Sequence, residues 1–422
     1  MASELAIKGG PKAVQTPVGD MFTWPIITEE DEQAVLDVLR TGRMSAWDVT
    51  LEFEKEFAAW HGVTHALAFN TGTAALQAAF FACGLGYRDE LIGPSMTYWA
   101  SCLPAFTLGA TIVFAETDPE TLCIDPKDIE HRITKRTKVI VAVHYAGHPC
   151  EMDAIMDIAK RHGVKVVEDV SHAHGGLYKG RLLGTIGHVG AMSIMSGKAL
   201  PAGEGGMLIT NDARIWQRAT AFGHYERTAE VLKGTAWERF AGLPMGACKN
   251  RMHQCSSAVG RVQLRHYRDR MVEIQKAMNY FWDLLEGVPG LRAHRPSRNS
   301  GSTMGGWYAP HGIYRAEEIG SLPIDTFVEA VNAEGVNIHA GANLLMHLHP
   351  VLNELDVYGH GKPTRLANAT RDVLQPKGSL PRTETIPTGC FSIPWFKHYR
   401  PRIIEEHALA FRKVCLNAKE LL

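Results

Sequence analysis

Residues 193–206 read Ser193-Ile194-Met195-Ser196-Gly197-Lys198-Ala199-Leu200-Pro201-Ala202-Gly203-Glu204-Gly205-Gly206. Lys198 lies among small residues, with serines before it and glycines after. Glycine lets a backbone turn sharply and approach a ligand closely, and serine hydroxyls hold phosphate oxygens. A lysine in such a turn suits Schiff-base chemistry with a carbonyl, as in pyridoxal phosphate (PLP) enzymes. An ordinary surface lysine in a glycine-rich turn is the plain alternative. The strands on either side decide between them.

Short apolar runs bounded by turn residues occur at 65–69, 90–92, 111–115, 138–143, 164–167, 189–194 and 207–210, with helical patterns between most of them, such as 74–83, 99–108 and 153–162. This alternation predicts an α/β domain with a mainly parallel seven-stranded sheet between helices. In such sheets ligands sit beyond the carboxyl ends of the strands. Three strand-end loops carry distinctive chemistry.

After the first run comes Asn70-Thr71-Gly72-Thr73-Ala74-Ala75-Leu76. It is a small-residue turn that opens a helix, whose free N–H groups and positive dipole end suit a phosphate. Simple N-capping by Thr71 or Thr73 explains it equally well. After the second run, Tyr98 and Trp99 are adjacent. One of them supplies a flat face for a ring, while Trp99 is expected in the core. The fifth run ends in Glu168-Asp169-Val170-Ser171-His172-Ala173-His174-Gly175. A carboxylate at the end of a buried strand is costly unless paired, so Asp169 is expected to face a cation or a proton, or else to cap a helix. His172 and His174 lack a third ligand at metal-binding spacing, and no metal is expected. Together the loops offer a phosphate seat, an aromatic face, a carboxylate and a lysine amine, which is the set that PLP requires.

On these residues the sequence resembles the DegT/DnrJ/StrS-type sugar aminotransferases, which are fold-type I PLP enzymes. The resemblance rests on Gly9-Gly10-Pro11-Lys12, Gly72-Thr73-Ala74-Ala75-Leu76, Pro94-Ser95-Met96-Thr97-Tyr98, Val143-His144, Glu168-Asp169 with His172-Ala173-His174-Gly175, and Lys198 with Gly203-Glu204-Gly205-Gly206. It covers about the first two thirds of the chain. It implies that Lys198 forms the Schiff base and shuttles the proton. Asp169 would pair with the pyridinium nitrogen and Tyr98 would stack on the ring. Gly72, Thr73 and Ser193 would hold the phosphate, with His172 near the ring oxygen. It also implies a homodimer with shared active sites. Many family members carry asparagine two residues before an Arg-Met pair, reaching the neighbour's phosphate; here Lys249 holds that position, followed by Asn250. Lys249 is the preferred contact, as a point charge, with Asn250 as the alternative. The implied reaction moves an amino group from glutamate or glutamine to a keto sugar or keto cyclitol by a ping-pong route. The competing readings are a dehydratase of the same fold, whose members lack this lysine, and a non-catalytic PLP-binding or regulatory protein. A nicotinamide enzyme is disfavoured because the first strand is not followed by Gly-x-Gly-x-x-Gly. The loop 224–227 and the segment 339–350 are expected to line the acceptor site, with His224, Tyr225 and His347 among the contacts.

The remaining chain sets the frame. Residues 1–26 read as an extended N-terminal arm. A large PLP-binding domain is expected over 27–270 and a small C-terminal α+β domain over 271–422, joined by a long helix around 252–285. Thr28-Glu29-Glu30 supplies a helix start, and 223–249 reads as a long irregular loop. The 422 residues carry a net charge of −1, which points to neither nucleic acid nor an anionic membrane as partner. The eight cysteines show no Cys-x-x-Cys pair; they read as reduced thiols of a cytoplasmic protein. No apolar run reaches the roughly 18 residues that span a bilayer.

Overall fold

The computed structural model describes residues 4–422, so the first three residues of the expected arm lie outside the described residues. Seven strands form the main sheet: β1 (His65–Phe69), β2 (Glu90–Pro94), β3 (Thr111–Ala115), β4 (Thr137–Val143), β5 (Lys165–Asp169), β6 (Val189–Ser193) and β7 (Gly206–Thr210). Their order is β1-β7-β6-β5-β4-β2-β3. β7 runs antiparallel to both neighbours, and the other six share one direction. The seven strands match the seven apolar runs within a few residues, because buried parallel strands are near-continuously apolar. Since β7 reverses direction, the link from β6 to β7 lies at the edge of the sheet where β1, β4 and β5 also end. That link is the Lys198 segment.

Local chemistry starts the flanking helices. Asp31 accepts from the Thr28 backbone N–H (2.9 Å) and hydroxyl (2.8 Å), fixing the start of α1 (Glu29–Thr41). Thr71 caps α3 (Gly72–Ala82) by accepting from the Ala74 N–H at 3.0 Å, after α2 (Asp48–His61) has packed Phe53 and Phe57 against the sheet. The expected helix over 99–108 is instead a short turn, Trp99–Ser101, followed by Pro104–Thr107. Proline at 104 lacks the N–H that a continuous helix needs there. The 223–249 stretch also folds into short turns rather than one open loop.

A 31-residue helix, α4 (Gln254–Leu284), spans about 46 Å and serves two cores. Leu264 and Tyr267 pack into the sheet's core, while Ile274, Met278, Phe281 and Trp282 pack into a second one. The second core also holds a three-stranded antiparallel sheet of β8 (Leu291–Ala293), β9 (His311–Tyr314) and β10 (Cys390–Ser392), and the helix α5 (Pro401–Leu416). The N-terminal arm is not free, because Leu5 and Met21 are buried in that second core.

Both cores draw on chain from either side of the expected division at 270. Residues 345–390 return to the main sheet, where Met346, Leu352, Val373, Leu380 and Ile386 join its core. The Gln375 amide brackets edge strand β3, accepting from the Phe114 N–H at 2.9 Å and donating to its carbonyl at 2.7 Å. A side chain thus satisfies backbone groups that an open edge would offer to another strand.

Candidate active site

At the carboxyl edge of the main sheet lies a cavity of about 590 Å³. Gly72, Thr73, Tyr98, Asp169, His172, Ser193 and Lys198 all line it. They come from segments that the fold alone brings together: the ends of β1, β2, β5 and β6 and the link to β7.

The start of α3 makes an anion seat. Thr71 covers the Ala74 N–H, which leaves the Gly72 and Thr73 N–H groups without partners inside the helix. Gly72 is required by close approach, because a Cβ there would fall 2.5 Å from the Ser193 Cα. Ser193 in turn receives support from Ser171, whose hydroxyl accepts from the Ser193 N–H at 2.9 Å.

Asp169 is buried at the end of β5. Its Oδ2 accepts from the Ser101 hydroxyl at 2.7 Å and its Oδ1 from the Ser171 N–H at 3.0 Å. These contacts hold an acceptor-only group at the cavity wall, suited to a buried basic nitrogen. His172 accepts from the Ala146 N–H at its Nδ1, 3.3 Å away. Burial, followed by the Lys198 charge, pushes its pKa well below the usual histidine range. The ring is therefore neutral, with its proton on Nε2 as a donor.

Lys198 is only 7% exposed. Its Nζ stands 4.0 Å from the centre of the Tyr308 ring, a cation–π distance. Burial lowers the amine to about 8, against a smaller opposing pull from Asp169. At pH 7 about a tenth of it is free amine, against less than about a thousandth for an ordinary lysine. The backbone is held as well, because the Trp24 indole N–H donates to the Lys198 carbonyl at 2.8 Å. Trp24 packs on Trp395, which meets Tyr308 edge-on. Arm, small sheet and lysine loop are joined through that aromatic contact.

Other expected residues stand elsewhere. His224 is buried behind β1, its Nε2 bonded to the Ala68 carbonyl at 2.9 Å. His347 is buried with Nδ1 on the Ser95 hydroxyl at 2.6 Å and Nε2 on Glu384 at 3.3 Å. Both rings tie backbone segments together, and neither lines the cavity. Tyr225 is half-buried on the 223–249 segment, with the Lys249 Nζ 6.0 Å from its ring centre, and both lie outside this chain's cavity. Trp99, expected in the core, is 46% exposed beside Tyr98. The short turn that begins at Trp99 points it outward.

Tyr308 and His311 line the cavity without any sequence signal; Ser101, Ser171 and Tyr145 lie in or beside strand-end motifs, and His339 and Asn343 belong to the 339–350 segment expected at the acceptor. Among the described residues no cluster of three or more histidine, cysteine or acidic side chains is arranged to hold a metal. No helix among them is long and apolar enough to cross a membrane.

Residues 25–406 match the model of the DegT/DnrJ/EryC1/StrS aminotransferase family. The chain is 33% identical over 346 residues to the L-glutamine:scyllo-inosose aminotransferase of Streptomyces griseus, covering 79% of this chain and 80% of that protein. It is 36% identical over 248 residues to the GDP-perosamine synthase of Caulobacter vibrioides, covering 58% and 64%. In structure it resembles an aminotransferase from Psychrobacter cryohalolentis, with a TM-score of 0.81 and 29% identity over 94% of this chain and 98% of that one.

Proposed function

The chain belongs to the DegT/DnrJ/EryC1/StrS aminotransferase family, and we propose that it holds PLP at the Lys198 cavity and moves an amino group from glutamate or glutamine to a keto sugar or keto cyclitol by a ping-pong route. The observation that carries this reading is the convergence of Lys198, Asp169 and the Gly72–Thr73 seat on one cavity. The donor set fits the group: open N–H groups and a serine for the phosphate, a buried carboxylate for the ring nitrogen, and an amine with a lowered pKa for the aldehyde. When bound, PLP supplies an electron-withdrawing ring that stabilises negative charge on the amino-bearing carbon.

The chain's own residues do the rest. Asp169, held by Ser101 and the Ser171 N–H, would keep a proton on the ring nitrogen. Tyr98 would cover the ring face, and the His172 Nε2–H would donate to the ring oxygen. Lys198 would hold the group through its aldehyde, and its amine, when free, would be the base that moves the proton at the substrate carbon. The lysine favours transamination over the dehydratase reading. In a titration, the protein is expected to take up one PLP with a visible absorption band, which L-glutamate or L-glutamine bleaches and a keto sugar or cyclitol restores. A band that neither amino donor changes would sink the proposal.

We place the enzyme in the cytoplasm as a homodimer. Eight unpaired thiols suit a reducing compartment. Ile27, Leu36, Leu39, Met44, Trp47 and Leu51 form an exposed apolar run along the first two helices, of the kind that a second copy covers. Lys249 is exposed, whereas Asn250 is buried, its carbonyl accepting from the Asn70 N–H at 2.7 Å and its side chain donating to the Cys248 sulfur at 3.3 Å. This supports Lys249 as the residue that reaches a neighbour's phosphate. Lys249→Ala is expected to weaken PLP binding about tenfold, the worth of one charged hydrogen bond; unchanged PLP affinity would remove it from that role.

A further inference from the structure

Three lysines are buried among the described residues: Lys198, Lys397 and Lys413. Lys413 has a counter-charge, the Glu334 carboxylate at 2.9 Å. Lys198 faces the cavity. Lys397 has neither. It is 6% exposed, it makes no ion pair among the described residues, and its Nζ donates to the Trp395 carbonyl at 3.3 Å. A buried amine without a carboxylate is costly, and burial pushes this one down to about 7. At neutral pH ammonium and amine are therefore both present, and either presents N–H donors to an aromatic face.

What Lys397 touches is the aromatic brace behind Lys198. Its Nζ stands 3.4 Å from the centre of the Trp395 ring and 5.9 Å from that of Trp24. The two indoles lie 5.6 Å apart, inclined at 48°, and each reaches the Lys198 loop by its own route. The Trp24 N–H donates to the Lys198 carbonyl at 2.8 Å. The Trp395 N–H donates to the Gly306 carbonyl at 3.0 Å, and its ring meets Tyr308 edge-on at 5.7 Å. The Tyr308 ring centre is in turn 4.0 Å from the Lys198 Nζ. The Lys397 backbone ties in the arm as well, its N–H donating to the Met21 carbonyl at 3.2 Å. One side chain thus contacts both indoles, and the indoles hold the carbonyl and the amine ends of Lys198. An apolar side chain would fill the same space without the cost of the amine, but it would hold the ring face by dispersion alone.

We infer that Lys397 is a positioning residue for the transamination: its amine, set on the Trp395 face beside Trp24, fixes the two indoles that hold the Lys198 carbonyl and the Tyr308 ring. Lys397 does not line the cavity, and it acts through Trp24, Trp395 and Tyr308. The inference rests on the reading of Lys198 as the amine that takes PLP. An amine that must meet an aldehyde in one orientation gains from a fixed backbone at one end and a fixed ring at the other, since a small misplacement of a reacting group costs rate.

Capture of PLP by the cofactor-free protein tests this without turnover. At pH 7, Lys397→Met is expected to form the borohydride-reducible Lys198 adduct about three- to fivefold more slowly than wild type, the scale of one cation–π contact. The visible circular-dichroism band of bound PLP, which reports how firmly it is oriented, is expected to weaken at equal occupancy. Methionine keeps an unbranched stem and removes the buried amine, so the melting temperature of the cofactor-free variant is expected to stay at or above that of wild type. Lys397→Arg, which keeps a cation on the ring face, is expected to restore the capture rate to within about twofold of wild type. Unchanged capture and an unchanged band in Lys397→Met, a slowing that Lys397→Arg does not relieve, or a slowing that comes with a lower melting temperature would each overturn the inference. A wild type that captures no PLP on Lys198 would instead count against the proposed function itself, and this inference would fall with it.

Discussion

Replacing Lys198 by alanine is expected to reduce turnover by about three orders of magnitude or more, the scale of losing a positioned proton-transfer group, here with the covalent hold on PLP lost as well. The side chain projects into the cavity, so its loss leaves both cores intact. The variant is expected to bind PLP through the Gly72–Thr73 seat and Asp169 but to fix none of it after borohydride reduction. Wild type should carry one reduced adduct on Lys198. Amino-group transfer at the wild-type rate in Lys198→Ala would refute the assignment.

The same substitution carries an opposite expectation for stability. Burial lowers Lys198 from the ordinary lysine value of 10.5 to about 8, so below pH 8 folding buries a charge that the unfolded chain keeps in water. The unfolded chain binds more protons between those values. The stability of the cofactor-free wild type therefore rises with pH through that window. Removing the amine relieves a cost of about 3 kcal/mol at pH 7, partly offset by the lost contact with Tyr308. Cofactor-free Lys198→Ala is expected to melt higher than wild type at pH 7 and to lose that advantage above pH 10. A cost of this kind agrees with the Schiff-base role proposed for Lys198.

Acid unfolding is the second large effect. Burial pushes His61 and His311 to about 4 and His174 and His224 to about 3. It holds His172 and His294 well below the usual range as well. Below about pH 6.5 the unfolded chain protonates these rings while the folded protein does not, so stability falls as pH falls. Each ring contributes about 1.4 kcal/mol per pH unit until its own folded pKa is reached. Four such rings together take about 5 kcal/mol per unit, against a total stability on the order of 5–15 kcal/mol. Circular dichroism is expected to show cooperative unfolding with a midpoint near pH 5, and potentiometry an uptake of at least about four protons beyond the folded protein's own titration. A native spectrum persisting at pH 4 would contradict the claim that these rings are buried and neutral.

Much of the fold was legible because it is local. Strands of five to seven apolar residues, the Thr28 and Thr71 starts and the long helix from Gln254 all follow from patterns within one turn or one strand. The cavity's strand-end residues were legible for a related reason. Asp169, Ser193 and Gly72 each stand where an apolar run stops, and in a parallel sheet those stops share one edge. His224 and His347 were misleading, since a histidine in a polar segment looks the same whether it faces a ligand or a carbonyl. Ala68 and Ser95 claim them only after the chain has folded.

Sequence by itself determined the alternating architecture, the lysine-bearing link and the chemistry available along one edge of the sheet. All of these depend on neighbours a few residues away. The tertiary structure alone decided which distant residues complete the cavity. Trp24 reaches Lys198 across 174 positions, and Asn343 meets Tyr145 across 198. These residues stand in irregular segments with no periodicity to mark a face. Their partners are set by how the long helix and the returning chain pack on the main sheet. Lys198 was therefore readable from its own loop, while the cavity wall opposite it exists only once two cores have come together.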